Sequence, residues 1–184
     1  MDEQIALIKQ LFSRAEELEI PIWLSNGWAI DARLGEITRE HGDIDIAYAR
    51  EKEEAYKDLL ARMGFANYES VDYGFLVTKG DILLDSEPCD TLDSEYNFKD
   101  FPKNSCPWEK EGIIDSFALR CVSWEALYLE FLYYQDEVPK QEWREKDFTS
   151  LEIIENQLAY EQKRALANLY RNANDAESRS AIDT

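Results

Sequence analysis

Apolar residues recur at two periods along this chain, and the alternation between them marks out its elements. Ile5, Ile8, Leu11, Phe12, Ala15 and Leu18 stand at helical spacing with charged residues between them, which predicts an amphipathic helix over residues 2–18. A short apolar run, Ile20 to Leu24, reads as a strand. Trp28 to Leu34 reads as a helix ending at Gly35, and Gly27 stands in the turn between the two. After the loop Glu36 to Gly42, strict alternation begins: Asp43, Ile44, Asp45, Ile46, Ala47. As a strand this segment carries two carboxylates on one face and aliphatic side chains on the other. Glu51 to Met63 returns to helical spacing and closes at Gly64. Three short strands are then expected, near Phe65 to Glu69, Tyr73 to Thr78 and Ile82 to Glu87, with Lys79 to Asp81 as a hairpin turn.

The second half reads differently. Residues 90–116 are rich in Asp, Asn, Pro and Ser and lack periodicity, so a long loop is expected there with one short strand near Gly112 to Ile114. Phe117 to Val122 reads as a last strand. Ser123 is placed to cap a helix from Trp124 to Tyr134, with Leu127, Phe131 and Leu132 facing a core. Pro139 breaks the chain. Helix is expected again from about Glu142 to Leu158 and on to about Asn172, and the terminal residues Asn172 to Thr184, lacking a core-forming pattern, are expected to fray.

Composition supports a folded chain: 45% of its 184 residues are hydrophobic and 12% aromatic, enough for one compact domain or two small lobes sharing a core. No apolar run has the length of a membrane span and the acidic N-terminus is unlike a signal peptide, so a cytoplasmic protein is expected. Cys89, Cys106 and Cys121 are odd in number, without a C-x-x-C pair, and read as reduced structural thiols. Charge narrows the partners. With 39 acids against 20 bases the formal net charge is −19, which repels DNA and RNA and steers polycationic small molecules inward.

The chemistry concentrates between Leu24 and Ile46. A strand, a tight turn and a helix start present backbone N–H groups suited to phosphate. Sixteen residues later, Asp43 and Asp45 on one strand face suit a divalent cation, because like charges so close oppose ionisation unless a positive ion lies between them. An exposed edge strand can also carry alternating acids, so this triplet alone does not decide. Asp85 and Glu87 repeat the arrangement on the third of the later strands. Arg39, in the loop before the first acidic strand, is a phosphate candidate. His41, the single histidine, reads as structural. Glu130 and Tyr133 stand three apart on the expected Trp124 helix, near each other on its surface; an acid and a ring could pair with an ammonium group and stack under a sugar.

The pairing of a glycine-containing turn with a downstream Asp-x-Asp strand resembles nucleotidyltransferases of the polymerase-beta type. More closely, I-W-L-S-N-G-W-A-I-D-A-R-L-G-E-I-T-R-E-H-G-D-I-D-I at Ile22 to Ile46 is similar to the aminoglycoside 2''-O-nucleotidyltransferases. So are D-Y-G-F-L at Asp72 to Leu76, L-L-D-S-E-P at Leu83 to Pro88, S-C-P at Ser105 to Pro107, R-C-V-S-W-E-A at Arg120 to Ala126 and Y-Y-Q-D-E-V-P at Tyr133 to Pro139. Together these cover roughly residues 1 to 158. Lincosamide nucleotidyltransferases share the first motif and fewer of the later ones. One departure stands out: the family turn has glycines where this chain has Ser25 and Asn26, although Asn tolerates a left-handed backbone and a Ser hydroxyl can bond phosphate.

The resemblance implies an α/β nucleotidyltransferase fold, with a small mixed sheet in an N-terminal domain over residues 1–100 and a mainly helical domain over 101–184. It implies an adenylyltransferase that moves a nucleoside monophosphate from ATP to an aminoglycoside hydroxyl and so confers resistance. Asp43, Asp45 and Asp85 would hold two Mg²⁺ ions, with Asp85 also taking the proton of the attacking hydroxyl. Ser25, Asn26, Gly27, Arg39 and Lys146 would meet the nucleotide, Lys146 because the family has a lysine at the matching place that reaches the triphosphate. Glu87, Glu130 and Tyr133 would meet the antibiotic. A lincosamide nucleotidyltransferase, a nucleotide-binding module that has lost catalysis and a toxin-type adenylyltransferase acting on a protein stay open, as do the monomer and the homodimer.

Overall fold

The computed structural model describes residues 1–180, with side chains to residue 173. Helix α1 (Asp2–Glu17) turns Leu7, Ile8, Leu11, Phe12 and Ala15 into the core, as their spacing requires. The chain reverses through Glu19, whose φ is 53°, with Ile20 N–H bonded back to the Ala15 carbonyl. Strand β1 (Ile22–Leu24) therefore starts two residues later than the apolar run suggests, and all of it is buried. Helix α2 (Asn26–Leu34) follows, closed by Gly35 in the left-handed region. Then come β2 (Asp43–Ala49), a 3-10 turn at 50–52, and α3 (Glu53–Arg62). The expected Glu51 start of that helix is taken by the tighter turn.

Strands β3 (Ala66–Val71), β4 (Gly74–Lys79) and β5 (Ile82–Leu92) form a meander, with Gly80 at φ 59° in the expected hairpin turn. The main sheet runs β1-β2-β5-β4-β3, with β6 (Glu95–Asn97) pairing β5 beyond that path. Among the described strands of this sheet β2 and β5 pair in parallel and the other pairs are antiparallel, so the sheet is mixed, as expected. Two corrections fall here. β5 runs five residues past Glu87, and β6 lies inside the stretch read as loop. Asp93 and Ser94 both take positive φ, 52° and 70°, and make a two-residue hairpin turn whose twist suits flanking strands. Asp115 and Ser116, at 45° and 63°, do the same between β7 (Gly112–Ile114) and β8 (Phe117–Leu119). The last strand stops at Leu119, and the chain then lies alongside β1: Leu24 N–H donates to the Arg120 carbonyl and Val122 N–H to the Leu24 carbonyl.

Ser123 caps α4 (Trp124–Glu137) as expected, its hydroxyl accepting from Ala126 N–H at 3.1 Å; the helix runs three residues beyond Tyr134. After Pro139 a 3-10 turn delays α5 to Glu145–Gln157. Its start is fixed by Arg144, whose backbone N–H and guanidinium both donate to Asp147. Helix α6 (Tyr160–Ser180) extends eight residues past the expected end; the remainder of the expected frayed tail lies outside the described residues. Trp23, Trp28, Tyr48 and Tyr56 are the largest fully buried side chains, in a core that continues through α4 to Leu166 in α6. All three cysteines are free and buried. Among the described residues no helix is long and apolar enough to cross a membrane.

Candidate active site

Strand β2 presents Asp43 and Asp45 on one face while Ile44, Ile46 and Tyr48 pack on the other. Parallel pairing sets Asp45 opposite Asp85 and Ala47 opposite Glu87, so the acids of both strands share a face. That face floors a cleft of about 500 Å³. Around it stand Ser25, Asn26, Gly27 and Arg39 from α2 and the loop after it, Glu130 and Tyr133 from α4, and Lys146 from α5. Every side chain singled out in the sequence as a site residue thus lines one cavity.

The carboxylates perturb one another. Burial pushes Asp45 up from 3.8 to about 7, with repulsion from Asp43 adding to it and the Asn26 amide, 3.2 Å from Asp45 Oδ1, opposing it. Burial and Asp85 raise Glu87 to about 7. Burial also raises Asp85, although Tyr73, whose hydroxyl donates to Asp85 Oδ2 at 2.9 Å, holds it down. Glu130 is raised well above the carboxylate range by burial and then by Glu87 and Asp45. Its Oε2 is sealed from solvent without a hydrogen-bond partner, and its Oε1 meets only the Ser25 hydroxyl at 3.5 Å. Such a group calls for a positive partner. Among the described residues no three His, Cys, Asp or Glu side chains are drawn together as a preformed metal cage. Even so, Asp43, Asp45 and Asp85 are hard oxygen donors facing one space, and they fit Mg²⁺ in kind.

The turn at the head of α2 divides its tasks among three residues. Asn26 takes the left-handed conformation, φ 47°, as the sequence allowed. Ser25 is the extended N-cap; its N–H is committed to the Asp45 carbonyl at 2.9 Å, tying the turn to the acidic strand. Gly27 supplies room: a Cβ there would lie 2.5 Å from an Arg39 guanidinium nitrogen and 2.7 Å from His41 Nδ1. The first bond within the helix comes from Ala29 N–H to the Ser25 carbonyl, leaving the N–H groups of the first turn directed out of the helix start. His41, read from the sequence as structural, is paired with a buried acid and also lines the cleft. Its Nε2 lies 2.6 Å from Asp31 Oδ2, with both side chains almost fully enclosed, and its ring lies against Trp28 at 4.4 Å.

Tyr133 lines the cleft but is already packed between Phe101 and Tyr170. Sequence reasoning missed Tyr73, Asp31 and Arg144. Tyr73 sits in the D-Y-G-F-L motif, where Gly74 approaches the Ser86 carbonyl too closely for any side chain and so lets the tyrosine hydroxyl reach Asp85. Asp31 follows Gly27 by four residues, one helical turn on the same face. Arg144 had no local signal beyond the i, i+3 acid that it caps with.

The family model for aminoglycoside-2''-adenylyltransferase matches residues 7–160. The chain belongs to that family. It is 39% identical over 168 residues to 2''-aminoglycoside nucleotidyltransferases from Klebsiella pneumoniae and Escherichia coli, covering 91% of this chain and 95% of each relative. The crystal structure of ANT(2'')-Ia in complex with adenylyl-2''-tobramycin superposes with a TM-score of 0.90 at 38% identity, over 94% of this chain and 99% of that one. The lincomycin-bound lincosamide adenylyltransferase LnuA reaches a TM-score of 0.57 at 19% identity, over 84% and 96%, a likeness of fold.

Proposed function

We propose that this chain is an adenylyltransferase that moves a nucleoside monophosphate from ATP to the 2''-hydroxyl of an aminoglycoside. The observation that carries the reading is the in-register pair Asp45 and Asp85, on adjacent parallel strands and facing the same cleft as the Gly27 turn. Asp43, Asp45 and Asp85 would hold two Mg²⁺ ions, which supply charge neutralisation to the triphosphate and its leaving pyrophosphate. Asp85 accepts the proton of the acceptor hydroxyl, with Tyr73 fixing the orientation of its carboxylate. The first turn of α2, Arg39 and Lys146 meet the phosphates. Glu87 and Glu130, both raised by burial and by neighbouring acids, ionise against the acceptor's ammonium groups, and Tyr133 contributes its ring edge. On this reading residues 1–100 carry the phosphotransfer chemistry and residues 101–184 close the cleft over the acceptor.

The test is mass spectrometry of tobramycin after incubation with ATP, Mg²⁺ and the protein. One added adenylyl group is expected, and none on an analogue lacking the 2''-hydroxyl. Equal adduct from an Asp85→Asn protein, or none from the parent, would refute the proposal.

A further inference from the structure

We propose that the buried carboxylate of Asp31 is a positioning residue for nucleotide binding, acting through Arg39. The inference rests on the reading above that Arg39 meets the nucleotide, and it adds what holds Arg39 there. Asp31 is fully buried on α2, and each of its oxygens is engaged by the loop that leaves that helix. Thr38 Oγ1 donates to Oδ1 at 2.5 Å, and His41 Nε2 lies 2.6 Å from Oδ2. Arg39 lies between these two anchors in sequence. Its guanidinium rests where a Gly27 side chain would be, at the mouth of the phosphate-binding turn and on the cleft. Thr38 is exposed, and the other ties of the loop are backbone or ring contacts: Glu36 N–H to the Asp31 carbonyl at 3.2 Å, Gln4 Nε2 to the His41 carbonyl at 3.2 Å, Arg39 Nη1 to the Glu40 carbonyl at 3.1 Å and the His41 ring against Trp28.

A loop pinned at both ends presents its arginine with little conformational freedom left to lose on binding. Freed at one end, the same arginine must be ordered by the nucleotide itself. Asp31 therefore acts on ATP affinity without touching ATP. A purely structural carboxylate would instead lower thermal stability and leave the affinity of the folded fraction alone.

The experiment measures the Kd of Mg-ATP by titration calorimetry, alongside KM and kcat for ATP and for tobramycin. The proteins are the parent, Thr38→Val, Asp31→Asn, Arg39→Ala and the two doubles that combine Arg39→Ala with each loop variant. Thr38→Val removes one anchor and spares the buried Asp31–His41 pair, so it carries the test even if Asp31→Asn does not fold; Thr38→Ser should restore parental values. Arg39→Ala is expected to weaken ATP about tenfold, Asp31→Asn by a similar factor and Thr38→Val about threefold, with the tobramycin KM within about twofold of the parent. In the Arg39→Ala background the loop substitutions should cost less than about twofold, because the group they position is gone. Undiminished effects in that background, or none in Thr38→Val and in folded Asp31→Asn when Arg39→Ala is weakened, would overturn the proposal. A parental ATP affinity in Arg39→Ala would remove both the nucleotide role of Arg39 and this inference, while adenylylation of tobramycin would stand.

Discussion

Replacing Asp45 by Asn should abolish turnover and, in the absence of divalent cations, make the protein more stable. Holding Asp45 at about 7 rather than 3.8 corresponds to about 4 kcal/mol between its protonation states at ~1.36 kcal/mol per pH unit, an upper bound on what its ionisation costs the fold. Because the folded value lies above the unfolded one, stability is lost as pH rises from about 4 through about 7. The isosteric amide removes that loss but has its own polarity to satisfy beside the Asn26 amide, 3.2 Å from Asp45 Oδ1, so a net gain of about 1–2 kcal/mol is expected above pH 7. For a chain of this size that is a rise in Tm of about 3–6 °C. Thermal unfolding of both proteins with EDTA, at intervals from pH 4.5 to 8.5, reads the gap directly. It should widen as pH rises, and Mg²⁺ should then close it by raising the parent's Tm more than the variant's. A gap independent of pH, or a variant less stable at pH 8, would refute the electrostatic account of the site.

Three further outcomes follow from the same geometry. Tyr73→Phe removes the donor that holds the Asp85 carboxyl down, so the acid limb of the kcat/KM profile should move to higher pH, with activity near pH 8 lowered by less than about tenfold; an unmoved acid limb would separate Tyr73 from the base. The KM for tobramycin should rise about tenfold or more between low and 0.5 M salt, as screening removes the pull of a chain of net charge −19 on a polycation, and a KM flat with salt would deny that steering. Burial raises the Cys121 thiol to about 12 and Cys106 well above its ordinary value, so native protein should resist iodoacetamide at pH 7.5, while guanidinium-unfolded protein takes up label at all three cysteines; rapid labelling of the native protein would contradict the packing around β5 and β8.

What was legible in the sequence was whatever depends on period and on residue type at a fixed offset. The Asp43–Asp45 and Asp85–Glu87 alternations place four acids by strand geometry alone, and the glycine ends of α2 and α3 mark where helices must stop. What was hidden depends on pairings between distant segments. Nothing local to Asp31 says that Thr38 and His41 will close on its two oxygens. Nothing local to Tyr73 says that its hydroxyl meets Asp85, because that contact needs β4 and β5 in register. The missed strand β6 had a weaker signal than a Gly-containing turn: Asp93-Ser94 takes a two-residue hairpin turn without glycine, which composition alone presents as loop. Helix ends shifted for the same reason, since the Arg144–Asp147 cap and not the apolar spacing decides where α5 begins.

The cleft also makes sense of the balance of charges around it. Asp43, Asp45, Asp85, Glu87, Glu130, Glu137 and Asp147 line one cavity against which, among the described residues, Arg39, Arg144 and Lys146 are the lysines and arginines, and Arg144 is already engaged by Asp147. A cavity balanced by its own arginines and lysines would have its acids at ordinary values and little to gain from a guest. Here burial and mutual repulsion raise Asp45 and Glu87 to about 7 and raise Glu130 as well, so a positive group that enters is met by acids that ionise as it arrives. Binding of metal and of a polyammonium acceptor should therefore each release protons. Calorimetric titration of tobramycin at pH 7 in two buffers of different ionisation enthalpy measures that release, and a heat independent of buffer would show that the acids were ionised before the guest came.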